Sequence, residues 1–403
     1  MQHLTKVGKA IPYGRQNITQ EDVEAVISAL QSDYLTQGPK IAEFEDAFAE
    51  YIGCKYAVAV SNGTAALHLC ALALDVKEGD KVITTPLTFA ASANCIKYCG
   101  GDVVFADIDP ATYLLDINNV RRVLEASPKG TYKGIVPVDF AGKAVDLEAF
   151  RKIADEFDLW IIEDACHAPG GYFKDSSGKA QNCGNSNFAD LAIFSFHPVK
   201  HIACGEGGMI TTNNEELYNK LLMLRTHGIT KRADAYTNSV AFAAGTETAE
   251  SYPGWYMEMQ TLGYNYRLTD FQAALGITQL KRADQGIERR KEIAGIYNDA
   301  FSGKSYIKGH SGLVEGHAYH LYVIEAEDRL GLYNYLRENN IFAQIHYIPC
   351  HLMPYYRQLG WKEGDMPMAE KYYENCISLP MYPTLTDDEQ LYVINKIEEY
   401  YKN

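Results

Sequence analysis

The sequence predicts an α/β protein whose larger domain contains a mostly parallel β-sheet with helices on both faces. Between Tyr56 and Thr212, short runs rich in β-branched residues alternate with longer stretches of helical periodicity. Several of these runs are apolar throughout, which is typical of strands that are buried on both faces. The helical stretches between them have the spacing of βαβ crossovers. Seven strands are predicted in this way: Ala57–Val60, Lys81–Thr85, Val103–Ile108, Gly134–Val138, Leu159–Glu163, Ala192–Phe196 and Met209–Thr212.

The length of the chain and the pattern of its last third predict a second, smaller domain. A chain of 403 residues with 47% apolar content is expected to form more than one domain. Leu268–Tyr297 has the pattern of one long helix with a polar face, which would bridge two domains. After it, strand signals at Tyr319–Ala326 mix with helical ones, which predicts an α+β domain. We therefore expect an N-terminal arm and large domain in residues 1–265, and the bridging helix and small domain in residues 266–403.

One long segment of the large domain has weak periodicity. Ala233–Met259 is rich in Ala, Gly, Thr and Glu, which predicts an extended loop region. Loops of this length in a compact enzyme are usually functional or mobile.

Charge and cysteine usage exclude several classes of protein. The formal net charge is −15 and the pI is near 5.2, which argues against non-specific binding to nucleic acid or to an anionic membrane. The first sixteen residues lack the apolar core of a signal peptide, and the longest apolar runs are too short to cross a bilayer. Nine cysteines include no CxxC pair, so we expect no zinc or other metal site and reduced core thiols in a cytoplasmic protein.

The first motif with chemical content is SNGTAALHL, at Ser61–Leu69. It follows a predicted strand and opens a predicted helix. Small residues at such a junction let backbone N–H groups approach an anion, and the helix N-terminus adds a favourable partial charge. By itself the motif is also compatible with an ordinary Asn or Thr helix cap.

The second motif is WIIEDACHAPG, at Trp160–Gly170. An apolar strand ends in Glu163 and Asp164, and ligands of parallel sheets bind at the carboxyl ends of strands. A carboxylate there can pair with a protonated pyridine nitrogen. The alternative is that Asp164 caps the next helix.

The third motif is AIFSFHPVKHIACGEGGMI, at Ala192–Ile210. Lys200 lies in an apolar context between the end of a strand and the glycine-rich run Gly205–Gly208. Lysine is rare in buried segments, and a lysine that forms a Schiff base needs partial desolvation to be nucleophilic. A surface lysine in a loop is the alternative.

Together, these motifs resemble the DegT/StrS family of sugar-nucleotide aminotransferases, within the fold-type I enzymes that use pyridoxal 5'-phosphate. SNGTAAL, TPLTFAASAN, EDACHA, SFHPVKHIACGEGG and LGYNYRLTD occur in this order, and the resemblance runs from about Ile11 to Pro383. It implies a PLP-dependent transferase that alternates between the PLP and the pyridoxamine form of its cofactor in a ping-pong reaction.

The resemblance also implies roles for individual residues. Lys200 would form the Schiff base and carry the proton, Asp164 would bind the pyridine nitrogen, and His167 would lie near the phenolic oxygen. Phe89 would stack on the ring. The remaining implied cofactor contacts are Gly63, Thr64, Ala65 and Ser195 on the phosphate, and Asn265, which would reach the phosphate of a neighbouring subunit. The enzyme would then be a homodimer with composite active sites.

Two segments resemble the family's contacts to the nucleotide sugar. One is YLTQGPK at Tyr34–Lys40, after an arm that contains Tyr13, and the other is QIHYIP at Gln344–Pro349. A helix-to-loop junction and an edge strand are the respective alternatives. The implied substrate contacts are Tyr13, Leu35, Thr36, Gln37, Gly38, His346, Tyr347, Ile348 and Pro349.

Three longer strings resemble a subgroup of the family that acts in pseudaminic acid biosynthesis. These are FSFHPVKHIACGEGG, RTHGITK and PGWYMEMQTLGYNYR. Members of that subgroup transfer an amino group from L-glutamate to C4 of a UDP-linked 4-keto-6-deoxy-N-acetyl-hexosamine. The chain departs from the wider family at Asp139, where a histidine is common, which leaves the contacts at that strand end open. It also departs from the subgroup at Pro169.

Other functions on the same scaffold stay open in part. Sugar dehydratases of this fold use histidine in place of the Schiff-base lysine, so Lys200 argues against them, and a non-catalytic regulator would be expected to lose Lys200 or Asp164. Aminotransferases of amino acids usually bind the α-carboxylate through an arginine of the small domain, and Arg329, Arg337 and Arg357 are available. Another nucleotide-linked 3- or 4-keto sugar is an alternative substrate, because fold alone does not determine it.

Overall fold

The computed structural model describes residues 9–310 and 313–402. Its strands are β1 Ile11–Pro12, β2 Tyr56–Val60, β3 Lys81–Thr84, β4 Asp102–Phe105, β5 Tyr132–Val136, β6 Trp160–Asp164, β7 Tyr172–Lys174, β8 Ala180–Asn182, β9 Leu191–Ser195, β10 Gly208–Thr212, β11 Ile229–Thr230, β12 Glu258–Met259, β13 Ile307–His310, β14 Tyr322–Ala326, β15 Ile341–Phe342 and β16 Cys376–Leu379.

The helices alternate with these strands through most of the chain. They are α1 Gln20–Leu30, α2 Pro39–Ile52, α3 Gly63–Ala73, α4 Ala91–Tyr98, α5 Ile117–Glu125, α6 Leu147–Phe157, α7 Glu215–Arg225, α8 Val240–Ala244, α9 Asp270–Leu280, α10 Ala283–Phe301, α11 Arg329–Glu338, α12 Pro354–Gln358, α13 Pro367–Asn375 and α14 Asp387–Lys402.

A seven-stranded sheet organises the larger part of the molecule, and it confirms the predicted fold class. Its strand order is β2-β10-β9-β6-β5-β3-β4, with parallel pairing from β9 to β4 and antiparallel pairing of β10 with both neighbours. All seven predicted strands are present within a few residues of their predicted bounds. Every residue of β10 and all but the first of β2 are buried, as expected for strands covered by helices on both faces.

The smaller, C-terminal part of the molecule is built around an antiparallel sheet of β13, β14 and β16. A separate hydrophobic cluster surrounds this sheet and draws on α10, α11 and α14, which agrees with the predicted α+β domain. Helix α9 packs instead on α1 and α2, and Ala273 and Leu280 belong to the cluster around Phe44 on the side of the large sheet. We propose that the domains meet near α9 and α10, and the boundary at 265/266 stays a prediction.

The prediction of one long helix over Leu268–Tyr297 is wrong. Helix α9 ends at Leu280 and α10 begins at Ala283, because Arg282 leaves helical geometry with φ −111° and ψ 7°. The Arg282 guanidinium binds the buried carboxylate of Asp22 at 2.7 Å. A long-range ion pair thus fixes the break, and local periodicity cannot reveal such a contact.

The predicted strand over Tyr319–Ala326 is shorter, beginning at Tyr322. The preceding turn pairs with the large domain instead, since Ala318 N–H donates to the Gly142 carbonyl and Leu321 N–H to the Ala141 carbonyl. Tyr319 has φ +49°, which is incompatible with a strand. This turn therefore ties the small domain to the larger one.

The weakly periodic segment Ala233–Met259 is mostly irregular, as predicted, but it is organised around one carboxylate. The buried Glu258 accepts hydrogen bonds from Thr237 N–H, Asn238 N–H and the Tyr256 hydroxyl at 2.7–2.9 Å. The segment includes the short helix α8 and ends in the β11–β12 pair.

The cysteines agree with the prediction of reduced thiols, because all nine are free. Six are buried, while Cys54, Cys99 and Cys166 are partly exposed, so Cys99 is less buried than a core residue would be. Among the described residues, no helix is long and apolar enough to cross a membrane.

Candidate active site

A cavity of about 1050 Å³ lies at the carboxyl ends of β6 and β9 and beside the N-terminus of α3. Crossovers of parallel strands bring these ends to one edge of the sheet, where ligands of such folds bind. The structure brings together at this cavity most of the site residues that the sequence predicts: Tyr13, Gly63, Thr64, Ala65, Phe89, Asp164, His167, Ser195, Lys200, His346, Tyr347 and Ile348.

The N-terminus of α3 forms one end of the cavity. Asn62 caps this helix, since its side-chain oxygen accepts from Ala65 N–H at 2.8 Å and its carbonyl accepts from Ala66 N–H at 3.0 Å. The N–H groups of Gly63 and Thr64 have no acceptor within the described chain. Helix capping therefore leaves two N–H groups free to bind an anion, although Ala65 contributes no free N–H group.

The packing of Gly63 against Ser195 explains why the helix starts with glycine. A Cβ atom at position 63 would lie 3.0 Å from Ser195 Cβ and 3.4 Å from its hydroxyl oxygen. Ser195 ends β9 and lines the same end of the cavity. The resulting cradle of two free N–H groups and one hydroxyl suits a phosphate group.

Asp164, the last residue of β6, is 5% exposed and lines the cavity. The Ser92 hydroxyl donates to Oδ2 at 2.6 Å, and Cys166 N–H donates to Oδ1 at 3.2 Å. Residues 165–171 form turns, so the alternative that Asp164 caps the next helix is wrong. Two donors hold this carboxylate in one orientation.

Lys200 follows β9 in a turn closed by its own N–H and the His197 carbonyl at 2.8 Å. Its ammonium lies at the cavity, with Nζ 3.5 Å from His320 Nε2. Burial lowers the pKa of Lys200, while Cys166 and Asp164 act in the opposite direction. A lysine with a lowered pKa has more of the neutral amine that nucleophilic attack requires.

His167 is buried and held in one tautomer. Its Nδ1 accepts from Ala141 N–H at 3.2 Å, so a neutral ring carries its proton on Nε2, which lies 3.2 Å from the Tyr347 hydroxyl. Burial lowers the pKa of His167 well below its ordinary value, and Lys200 lowers it further. His167 is therefore a neutral hydrogen-bond donor facing the cavity.

Phe89 presents an aromatic face to the cavity. Its side chain is 63% exposed, and the nearest aromatic neighbour is Tyr347, with ring centroids 6.4 Å apart. A large exposed aromatic residue in a cavity is suited to stack on a planar ligand.

The structure accounts for Asp139, whose role the sequence left open. Asp139 does not line the cavity; it is fully buried and its Oδ1 accepts from Val145 N–H at 2.8 Å. Its carboxyl group lies near that of Glu163 and the thiol of Cys183, with one oxygen or sulfur atom of each residue within 4.8 Å of the others. Burial raises the pKa of Asp139 to about 6 and that of Glu163 well above its ordinary range, and the proximity of the Asp139 carboxyl group adds to the shift of Glu163.

Six of the predicted residues lie outside the cavity of this chain: Leu35, Thr36, Gln37, Gly38, Asn265 and Pro349. Leu35 is 50% exposed, and the backbone around it is fixed by Asp270, which accepts from Gly38 N–H at 2.8 Å. Asn265 is exposed and forms a β-bridge with Thr226. It does not cap helix α9, because Thr269 does so in a capping box with Gln272.

Sequence reasoning missed three residues that the structure places at this site. Asn62 lies in SNGTAALHL and Ser92 lies in TPLTFAASAN, and both line the cavity. Their polar side chains, close in sequence to residues predicted to contact the cofactor, could have indicated this. His320 had no such signal, because it approaches Lys200 from the small domain.

The comparisons with known proteins agree with this geometry. A family profile described as the DegT/DnrJ/EryC1/StrS aminotransferase family matches residues 16–398. The spore coat polysaccharide biosynthesis protein SpsC of Bacillus subtilis is 39% identical over 407 residues, with 97% of each chain covered. The UDP-4-amino-4,6-dideoxy-N-acetyl-beta-L-altrosamine transaminase of Campylobacter jejuni is 37% identical over 388 residues, with 92% of each chain covered.

Solved structures show the same similarity. PseC of Helicobacter pylori, an aminotransferase involved in the biosynthesis of pseudoaminic acid, has a TM-score of 0.85 at 29% identity, with 98% of this chain and 100% of that chain covered. Spr1654 of Streptococcus pneumoniae, named as a sugar aminotransferase and solved in its PLP form, has a TM-score of 0.84 at 28% identity, with 98% of this chain and 99% of that chain covered.

The residues of the cavity fit pyridoxal 5'-phosphate. The cradle of Gly63, Thr64 and Ser195 suits its phosphate, and the Asp164 carboxylate suits its pyridine nitrogen. Lys200 supplies an amine in the same cavity, and Phe89 supplies a face for the ring. An anion cradle, a carboxylate and a lysine in one cavity are the groups that this cofactor requires.

Proposed function

Since this chain belongs to the DegT/DnrJ/EryC1/StrS aminotransferase family and its cofactor is pyridoxal 5'-phosphate, we propose that it transfers an amino group from L-glutamate to C4 of a UDP-linked 4-keto-6-deoxy-N-acetyl-hexosamine. At the level of class, the protein is a sugar aminotransferase. One observation carries the proposal. Lys200 and Asp164 line the same cavity as a helix N-terminus that has two unpaired N–H groups within the described chain. The altrosamine transaminase and PseC support the choice of sugar.

Each end of the cavity has a task in holding the cofactor. Gly63 and Thr64 N–H and the Ser195 hydroxyl would bind the phosphate, and Phe89 would stack on the ring. Asp164 would keep a proton on the pyridine nitrogen, because a buried carboxylate favours a charged pyridinium beside it. When bound, pyridoxal phosphate supplies an electron sink for the carbon that gains or loses the amino group.

Lys200 carries the proton that the reaction moves. Its lowered pKa leaves a fraction of the amine neutral, and a neutral amine can take a proton from the substrate carbon and return it. The neutral His167 donates through Nε2 toward the same space, which orients an oxygen without adding a second cation.

The far wall of the cavity supports a sugar nucleotide as the acceptor. Tyr13 and His346 pack together there with ring centroids 5.0 Å apart, and Tyr347 and Ile348 extend the same wall. Among the described residues, no arginine lines the cavity. Arg329, Arg337 and Arg357 therefore lie outside the cavity, so none of them binds an α-carboxylate there.

A homodimer with composite sites would complete the cavity. Asn265 and Leu35–Gln37 are exposed on this chain, Gly38 is partly buried, and none of them lines its own cavity. Large apolar side chains nearby in the sequence are also exposed, with Trp255 at 71% and Leu262 at 73%. Exposed apolar surface of this kind is typical of a protein interface. The nine free cysteines agree with the reducing cytoplasm in which we place the reaction.

The closest competing substrate is another nucleotide-linked keto sugar. SpsC, a protein of spore coat polysaccharide biosynthesis, is at 39% identity as similar to this chain as the altrosamine transaminase at 37%. Amination at C3, or of a sugar on a different nucleotide, is therefore the alternative that an experiment must separate.

Direct assay of candidate acceptors tests the proposal. The purified protein is incubated with PLP, L-glutamate and a panel that contains UDP-linked 4-keto-6-deoxy-N-acetyl-hexosamines of both C5 configurations, a dTDP-linked 3-keto sugar and a dTDP-linked 4-keto sugar. Mass spectrometry should show an amino group on one UDP-linked 4-keto sugar, with equimolar 2-oxoglutarate. Lys200→Ala is the control for background. Amination of a dTDP-linked sugar alone would refute the proposed acceptor, and failure of glutamate where another amino acid succeeds would refute the donor.

A further inference from the structure

His320 contacts the catalytic lysine from the small domain. It lies two residues before β14, is 4% exposed, and places Nε2 3.5 Å from Lys200 Nζ. Its ring also lies 4.3 Å from the ring of His167, measured between centroids. Within the described chain, its Nδ1 is buried without a hydrogen-bond partner. A buried imidazole with one unsatisfied nitrogen lowers the stability of the fold. This indicates that the histidine is retained for the contact between its Nε2 and Lys200.

The surroundings of His320 keep it neutral. Burial lowers the pKa of His320 well below its ordinary value, and the positive charge of Lys200 adds to this effect. The titratable and charged groups around the pair are Asp164, Cys166, His167, His201, Arg290 and His346. Since an ammonium group has no acceptor, a neutral His320 must accept from Lys200 through Nε2 and carry its own proton on Nδ1.

The backbone of His320 is held by a buried arginine. Arg290, on α10, is 1% exposed, and its Nη1 donates to the carbonyls of Tyr319, His320 and Met381 at 3.1, 3.2 and 3.0 Å. In the described part of the chain it forms no ion pair with a carboxylate. Burial lowers the pKa of Arg290 to about 10. Placing a guanidinium in a core without a counterion is unfavourable, so its contacts need a reason beyond packing.

The third carbonyl links Arg290 to the substrate wall. Met381 accepts from Arg290 through its carbonyl and donates through its N–H to the Tyr13 carbonyl at 2.9 Å. Tyr13 lines the cavity. One guanidinium therefore holds two backbone segments that meet at the cavity, the turn that carries His320 and the segment that supports Tyr13.

We propose that Arg290 is a positioning residue for amino transfer: it fixes His320, and His320 accepts a hydrogen bond from the Lys200 side chain whenever that lysine is detached from the cofactor. The proposal rests on the role of Lys200 in the proposed function. The contact holds the freed lysine beside the reacting atoms, and it stabilises the ammonium form against the amine.

The test follows the uptake of PLP by the apoenzyme, which does not depend on any sugar substrate. The rate at which the cofactor becomes attached is measured by absorbance across a range of pH, and its midpoint reports the ionisation of Lys200. His320→Phe removes the acceptor and should move the midpoint to lower pH by about one unit, because a hydrogen bond to the charged form is lost. His320→Gln keeps an acceptor and should restore most of the wild-type profile.

Arg290→Lys separates position from charge. The substitution keeps the positive charge but cannot reach three carbonyls with one planar group, so it should move the midpoint in the same direction as His320→Phe. If Arg290 acts through His320, the double variant should shift no further than His320→Phe alone. Arg289→Lys is the matched control and should leave the profile unchanged. Arg289 is adjacent to Arg290 in the sequence, but it binds Asp387 and Glu292 at the surface.

Two outcomes would overturn the proposal. A wild-type profile in His320→Phe would remove His320 from contact with the lysine, and additive shifts in the double variant would show that Arg290 acts by another route. If Arg290→Lys fails to fold, Arg290→Gln tests whether Arg290 positions His320. The variants His320→Phe and His320→Gln test the contact with Lys200 independently of Arg290. Retained amination of a keto sugar by these variants would show that the proposed function stands even where this inference fails.

Discussion

The cofactor pocket and the rim of the predicted site differ in how far one chain completes them. In the pocket, Asp164, His167 and Lys200 each have a hydrogen-bonding partner from the same chain. At the rim, the backbone of Thr36, Gly38 and Asn265 is anchored, while the side chains of Leu35, Thr36, Gln37 and Asn265 are exposed. Strand topology brings most of the pocket together and the small domain adds His320 and Tyr347, whereas the side chains of the rim lie outside this chain's cavity. If the proposed homodimer completes the rim, a single subunit should bind the cofactor and the sugar more weakly than the dimer does.

The largest expected effect concerns Lys200 in the pocket. Lys200→Ala should lower amino transfer by about 10⁴-fold or more, since both covalent attachment and acid–base catalysis are lost. The purified protein should be yellow, and borohydride should fix the cofactor on the peptide that contains Lys200. Lys174 and Lys179 serve as internal controls in the peptide map, and label on either of them would disprove the assignment.

The next effect concerns Asp164, and it tests whether the pocket acts as one unit. Asp164→Asn keeps the size of the side chain but removes its charge, so the pyridine nitrogen should lose its proton. Turnover should fall by about 10²- to 10³-fold, as for other losses of a preorganised electrostatic contact. Asp116→Asn at the cap of α5 is a matched control that should keep full turnover. Near-normal turnover in the Asp164 variant, with an unchanged melting temperature, would remove this residue from the site.

A mixed dimer tests the rim directly. Homodimers of Asn265→Ala and of Lys200→Ala should each be inactive or nearly so. If Asn265 acts across the interface, a mixed dimer has one site with both defects and one with neither. Subunit exchange should then restore up to half of the wild-type activity per mixed dimer, and absence of any recovery would place Asn265 in its own subunit.

The affinity for PLP gives a second test of the role of Asn265. Asn265→Ala should weaken PLP binding while leaving thermal stability almost unchanged, because Thr269 and not Asn265 caps helix α9. Equilibrium dialysis and a melting curve on the same preparation measure the two effects. Loss of stability with unchanged PLP affinity would indicate a structural role only.

The smallest effect is a pH dependence of stability that originates in the pocket. Burial, and then the charge of Lys200, lower the pKa of His346 from 6.5 to about 3. Between these values the unfolded chain binds a proton that the folded chain does not. The contribution of neutral His346 to the free energy of unfolding is therefore fully present above pH 6.5. It decreases by about 1.4 kcal/mol per pH unit as the pH falls toward 3. Urea unfolding of His346→Asn should show a shallower pH dependence than the wild type, and the exposed His197→Asn should not. Equal slopes in all three proteins would contradict the buried, neutral state of His346.

Much of the pocket was predictable because its residues follow strands. The period of the apolar runs predicts each strand of the large sheet, and Asp164, Ser195 and Lys200 lie at or just after a strand end. Contacts that depend on distant segments were not predictable in this way. The break between α9 and α10 is set by an ion pair across 260 positions, and His320 reaches Lys200 across 120. Local periodicity contains no information about such pairs.

The ion pair of Asp22 with Arg282 also has a consequence for the order in which the chain assembles during synthesis. Asp22 leaves the ribosome 260 residues before Arg282 does, and Ile11 emerges long before its strand partner Ile341. At about 5–20 residues per second, the wait for Arg282 is roughly 13–50 s. The N-terminal arm that carries Tyr13 is therefore expected to reach its final position only after these partners have been synthesised. Nascent chains released early would then contain the large sheet but present an open cavity.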